Sequence, residues 1–101
     1  MDETTTRIMT ITKQLVPDAK IILFGSRARG DYTKESDFDI AVITPQATDK
    51  RTLFSKLNKA IYQEIRKPID LVLYTPEEYE QGKYGFLPEL IEKEGIELKA
   101  P

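Results

Sequence analysis

The strongest constraint on what this chain can fold into is a spacing. The apolar run Ile21-Ile22-Leu23-Phe24 feeds straight into Gly25-Ser26, and after ten intervening residues Asp37-Phe38-Asp39 opens a second apolar run, Ile40-Ala41-Val42-Ile43. Short apolar runs bounded by turn residues read as buried strands. Side chains two apart on a strand share a face, so Asp37 and Asp39 are expected to converge. With no basic residue between them, two such carboxylates repel unless a cation sits there. Mg²⁺ suits the position, because it takes one or two carboxylates and completes its shell with substrate phosphates. The pattern predicts a metal-dependent phosphoryl-type transfer site built on a sheet.

A third acid extends the pattern. Ile69-Asp70-Leu71-Val72-Leu73-Tyr74 reads as another strand with one charge near its start. A lone Asp buried there without a partner is costly. Beside the Asp37/Asp39 strand, Asp70 instead completes a three-carboxylate cluster. Three acids can hold two metals that bind a triphosphate and activate an attacking hydroxyl. Asp70 can also accept the hydroxyl proton as a general base. Asp31 and Glu35 are rival ligands, but their polar loop setting reads as solvated surface.

The Gly25-Ser26 pair has its own physical logic. Ser26 to Gly30 reads as a short helical turn, where Gly lets the backbone approach a phosphate and Ser caps the turn and donates its hydroxyl. Taken alone the pair is an ordinary cap; coupled to Asp37, Asp39 and Asp70 it becomes a nucleotide site. Around it lie Arg27, Arg29 and Lys34. For Arg27, phosphate contact and an exposed turn stand as equal readings, whereas Lys34 reads as solvated.

The flanking pattern supplies the rest of a small domain. Ile8, Ile11 and Leu15 mark an amphipathic helix from about Glu3 to Val16, ended by Pro17-Asp18, with the first strand from about Lys20 to Phe24. Leu53, Leu57, Ile61 and Ile65 mark a helix from about Thr48 to Arg66. Thr75-Pro76-Glu77-Glu78 is a capping box opening a short helix to about Gln81. Gly82-Lys83-Tyr84-Gly85 reads as a loop, Pro88 to Glu94 as a last helix stopped by Gly95, and Ile96-Glu97-Leu98 as a short edge strand. The expected architecture is one mixed α/β domain over residues 1–101, a three- to four-stranded sheet flanked by helices. The chain has no histidine and no cysteine, which removes imidazole catalysis, thiolate metal sites and disulfides. A cytoplasmic location is compatible with that usage, and no apolar stretch argues for a membrane. The net charge of −2 argues against nonspecific nucleic-acid binding.

The set Gly25-Ser26, Asp37-x-Asp39 and Asp70 resembles the signature of the DNA polymerase β-type nucleotidyltransferases. The short length and the order helix, strand, Gly-Ser turn, strand, helix, strand are similar to their smallest members, the minimal nucleotidyltransferases (MNT). The resemblance implies ATP as substrate, its triphosphate against Gly25, Ser26 and Arg27. It also implies two Mg²⁺ ions on Asp37 and Asp39, with Asp70 sharing one and orienting the acceptor. Minimal nucleotidyltransferases are typically paired with a helical HEPN partner, a ribonuclease toxin that they neutralise by adenylylating a tyrosine. HEPN ribonucleases use an Arg…His motif, and this chain has no His, so the resemblance implies the antitoxin half. Two other readings stand beside it: a binding antitoxin that neutralises by docking, and an antibiotic nucleotidyltransferase whose pocket a homodimer completes. Tyr79, Tyr84 and Phe86 are aromatic candidates for a partner surface, although in a domain this small such residues more often plug the core.

Overall fold

A computed structural model describes residues 2–82 and 87–100. Its first helix, α1 (Glu3–Leu15), begins where the Asp2 carboxylate accepts the Thr5 N–H at 2.8 Å and stops before Pro17. The strand β1 (Lys20–Phe24) follows, then the one-turn helix α2 (Ser26–Arg29) between Gly25 and a left-handed Gly30. Strand β2 (Phe38–Ile43) leads into α3 (Lys50–Ile65), and β3 (Ile69–Tyr74) into α4 (Pro76–Gln81). The chain closes with α5 (Leu87–Glu94) and the two-residue β4 (Ile96–Glu97).

The strands form one mixed sheet in the order β3-β2-β1-β4. Strands β1 and β4 run antiparallel to their neighbours, whereas β2 and β3 are parallel across the α3 crossover. The expected α/β class, the fourth strand at the edge and the capping box are all present. Thr75 Oγ1 accepts the Glu78 N–H at 3.2 Å while Glu78 Oε1 accepts the Thr75 N–H at 2.9 Å. Several boundaries differ from expectation by a residue or two. Helix α3 starts two residues later than Thr48, because the Asp49 side chain caps it by accepting the Thr52 N–H, and it ends as Arg66 turns left-handed at φ 52°. Helix α5 begins at Leu87 rather than Pro88. Residues 83–86 lie outside the described residues, and with them most of the expected loop and the candidates Tyr84 and Phe86.

Strand alternation sorts the core into two layers. Ile21 and Leu23, Phe38, Ile40 and Val42, and Leu71 and Leu73 face α1 and α3, where they meet Ile8, Ile11, Leu53, Leu57 and Ile61. The other face carries Ile22 and Phe24, Ala41 and Ile43, and Val72 and Tyr74, which pack on Tyr79, Leu87 and Ile91. Tyr79 is therefore core rather than partner surface. Among the described residues, no helix is long and apolar enough to cross a membrane.

Candidate active site

The same alternation places the acids. On the face covered by α4 and α5, the β2 row reads Asp39, Ala41, Ile43 and the β3 row reads Asp70, Val72, Tyr74. The apolar two-thirds of each row is roofed by the helices, and the acidic first member is left at the uncovered end. Asp39 and Asp70 are direct partners in the parallel register. Neighbouring strands lie about 4.8 Å apart, so these two carboxylates rise side by side. On its other side Asp39 pairs with Phe24, the residue before Gly25.

Gly25 fits this arrangement for two reasons. Its backbone sits at φ 73° and ψ −157°, a conformation that only glycine adopts without strain. A side chain there would also set its Cβ 2.0 Å from Asp39 Oδ2. Gly25 is expected to let a phosphate approach; in the folded chain the Asp39 carboxylate already lies over it.

Asp39 is half-buried, and its carboxyl is pushed above the usual carboxylate range. Partial burial contributes most, followed by the negative charges of Asp70 and Asp37; Arg29 opposes them. Asp37 stands one residue before β2 and is exposed, so it joins the cluster electrostatically from the loop rather than from within the strand. Asp70 is exposed as well, on the edge strand β3, so it escapes the cost that burial without a partner would carry. Among the described residues, no three carboxylates stand close enough to cage a metal ion by themselves. That donor set still fits Mg²⁺, which needs only one or two carboxylates when phosphate oxygens fill the remaining positions. Mutual repulsion at Asp39 is the strain that such a cation relieves.

The residues around the turn divide their work. The Gly25 carbonyl starts α2 by accepting the N–H groups of Ala28 and Arg29 at 3.1 and 3.0 Å, with Ser26 half-buried at its first position. Arg27 turns away from that position. Its guanidinium donates to the carbonyl of Ser36 at 3.2 Å and lies over the rings of Phe38 and Tyr32, 4.2 and 4.4 Å from their centroids. It works as a clamp on the 31–37 loop, a role that neither the phosphate nor the solvated-turn reading foresaw. Asp31, Lys34 and Glu35 are exposed, as expected of the loop. Sequence reasoning missed Glu94: its Oε1 accepts the Gly25 N–H at 3.0 Å and its carboxylate pairs with Arg29. Nothing in the local sequence marks that contact, which joins residues 69 apart.

A cavity of about 860 Å³ lies at the opposite end of the strands, between Lys20, Ile43, Tyr79 and Glu92. Among the described residues the buried Tyr79 hydroxyl beside it makes no hydrogen bond of normal geometry, and burial, with the nearby Glu92 carboxylate, pushes its pKa up. Asp39 and Asp70 do not line this space, which sets it apart from the acids.

A sheet that presents paired strand-borne acids beside a glycine turn is the frame of a nucleotidyltransferase. The chain belongs to the nucleotidyltransferase domain family, whose pattern matches residues 6–98. The expected enzyme class agrees with that membership. Among individual relatives, the chain is 45% identical over 42 residues to a probable protein adenylyltransferase, MntA, of Haemophilus influenzae. That match covers 42% of this chain and 37% of the relative's length. Two crystal structures share the fold. A toxin–antitoxin with AMP-PNP superposes with a TM-score of 0.74 at 22% identity, covering 99% of this chain and 75% of that one. A mutant MntA–HpeT toxin–antitoxin superposes at 0.72 with 23% identity, covering 96% and 72%.

Proposed function

We propose that this domain transfers AMP from ATP to a protein hydroxyl, that the acceptor is a tyrosine of a HEPN-type helical toxin, and that the transfer makes the chain an antitoxin. The observation that carries the reading is the pairing of Asp39 with Asp70 beside Gly25, at the one end of the sheet face that α4 and α5 leave uncovered. The name of the H. influenzae relative and the toxin–antitoxin structures of the same fold support the acceptor class.

In this reading the triphosphate lies against the Gly25 turn, with the Ser26 hydroxyl as a donor. Asp37 and Asp39 would hold Mg²⁺, with Asp70 sharing an ion, and the metal would neutralise charge on the phosphates. Exposed Asp70 sits where an incoming tyrosine can reach it. It takes the phenolic proton as the oxygen attacks the α-phosphorus. The new bond is Tyr O–P, the bond broken is that to the bridging oxygen of the β-phosphate, and pyrophosphate leaves. The protein's share is orientation and preset electrostatics.

The test is transfer of label from [α-³²P]ATP with Mg²⁺ to a co-encoded helical protein, comparing wild type with Asp37→Asn/Asp39→Asn. Label on a partner tyrosine that disappears in the variant supports the reading. Unlabelled partner that both proteins still bind and silence leaves docking as the means of neutralisation. Label on an aminoglycoside instead replaces the acceptor.

A further inference from the structure

Helix α2 cannot hold its own shape. It is four residues long and none of them is buried. A single helical turn is far below the length at which a helix is stable by itself. Beyond half-buried Ala28, which packs on the α1/α3 layer, its geometry comes from polar contacts, and these identify one source. Glu94, the last residue of α5, accepts the Gly25 N–H on Oε1 at 3.0 Å. The same carboxylate receives Arg29 Nη1 at 3.2 Å on Oε1 and 3.1 Å on Oε2. Gly25 is the residue that opens α2 and Arg29 the one that closes it. One side chain therefore ties both ends of the turn.

Glu94 is itself firmly placed. Its side chain is only 14% exposed, whereas that of Arg29 is 46% exposed. Directly after it, a Cβ on Gly95 would lie 2.3 Å from the Ile91 carbonyl oxygen and 2.5 Å from Ile22 Cγ2. Glycine thus lets the chain leave α5 pressed against β1. The next residues, Ile96 and Glu97, pair with Leu23 and Ile22, which locks the register. A mostly buried carboxylate is costly unless charged or backbone donors satisfy it. Here both donors belong to the nucleotide turn.

We propose that Glu94 is a positioning residue of the nucleotide site, holding the Gly25 peptide and the Arg29 guanidinium in the arrangement that receives a triphosphate. The proposal rests on the nucleotidyl-transfer reading. Without Glu94, α2 loses the bond at its entry and the ion pair at its exit. Arg29, whose charge is already felt at Asp39, then keeps only its exposed pairing with Asp31 at 3.4 Å and can swing toward the Asp39 carboxylate to compete with the metal.

The experiment compares wild type, Glu94→Gln, Glu94→Ala and Thr75→Ala by calorimetric titration with Mg²⁺ and AMP-PNP, with melting temperatures alongside. Thr75→Ala breaks the α4 capping box away from the turn and controls for lost stability. Glu94→Gln keeps an amide oxygen for the Gly25 N–H and is expected to bind within about threefold of wild type. Glu94→Ala is expected to weaken binding by about tenfold or more, and Thr75→Ala to leave it unchanged. Wild-type affinity in Glu94→Ala with a lowered melting temperature reduces Glu94 to a purely structural contact and overturns the proposal. Tighter binding overturns it too, by making the carboxylate an occupant that phosphate must displace. A wild type that binds no nucleotide overturns the parent reading and the purpose assigned here. The brace has a separate readout in amide exchange. Ser26–Gly30 amides that exchange no faster in Glu94→Ala than in wild type overturn the brace itself.

Discussion

Replacing Gly25 by Ala measures how tightly the turn and the acid site are fitted together. Two penalties act. The conformation at φ 73° and ψ −157° belongs to the region reserved for glycine, which costs a side-chain-bearing residue about 1–3 kcal/mol. In addition the new Cβ would lie 2.0 Å from Asp39 Oδ2, 3.0 Å from its Cγ and 3.3 Å from its Cβ. Asp39 must rotate away, and an overpacked contact of this kind costs about 1–3 kcal/mol more. The sum, about 2–6 kcal/mol, corresponds to a melting-temperature drop of about 8 °C or more in a domain this size. A double-mutant cycle by urea unfolding separates the terms. Asp39→Ala removes the Oδ2 and Cγ contacts and leaves the 3.3 Å Cβ contact in place. Gly25→Ala is then expected to cost at least about 1 kcal/mol less in the Asp39→Ala background than in wild type. Additive effects, or a Gly25→Ala cost below about 1 kcal/mol in wild type, refute the claim that Asp39 lies over the glycine.

Two further outcomes follow from the site's electrostatics and its loop clamp. Because burial, Asp70 and Asp37 hold the Asp39 carboxyl above its ordinary range, folding opposes its ionisation. Its favourable share of stability is present below the unfolded value of about 3.9 and is lost as pH rises through the higher folded value. Metal-free Asp39→Asn should therefore melt above wild type at pH 7, by about 4–8 °C for a gain of about 1 kcal/mol, with the gap closing toward pH 4. A variant that melts below wild type at neutral pH contradicts this. For the clamp, Arg27→Ala should lose about 1–2 kcal/mol in urea unfolding with Arg27→Lys rescuing little, since a planar guanidinium must both stack on Phe38 and reach the Ser36 carbonyl. A lysine variant as stable as wild type removes the case for the clamp.

What the sequence made legible was whatever depends on local pattern. The strands Lys20–Phe24 and Ile69–Tyr74 lie where their apolar runs placed them, and the Thr75 capping box closes as its spacing predicts. The pairing of Asp39 with Asp70 followed once β3 was set beside β2. Two kinds of fact stayed hidden. The first was exposure: whether Asp70 is buried in its apolar run or open to solvent stays undecided, because sequence does not say which strand is the edge. The second was long-range polar contact. Arg27 in a basic turn looks like a phosphate ligand or a solvated side chain until the loop folds back and offers it a carbonyl and two rings. Glu94 looks like one of many surface glutamates until β4 carries the end of α5 to the turn. Gly95 follows the same rule. It reads as a helix stop, yet it is not among the positive-φ glycines, and what demands it is the close approach of the Ile91 carbonyl and Ile22.

These hidden contacts explain how a site that destabilises itself is kept in place. The acidic ends of the β2 and β3 rows gain nothing from the apolar layer that fixes the rest of those rows, and their mutual repulsion works against folding. Helix α2 has no fully buried residue and meets the core only through half-buried Ala28. Both are held by contacts reaching in from elsewhere: the fit of Gly25 under Asp39, the Arg27 clamp on the loop that carries Asp37, and the Glu94 tie from α5. Arg27 stacks on Phe38 of the α1/α3 layer and Gly25 also bears on stability, so the Glu94 tie, which belongs to neither apolar cluster, is the contact that separates the competence of the site from the stability of the fold. Trimming Leu57 or Ile61 in the α3 layer should therefore lower stability by a few kcal/mol (about 2–5 for a change to Ala) with the turn still formed in whatever fraction remains folded. Cutting the Glu94 tie should do the reverse, leaving a folded domain whose turn no longer holds one shape.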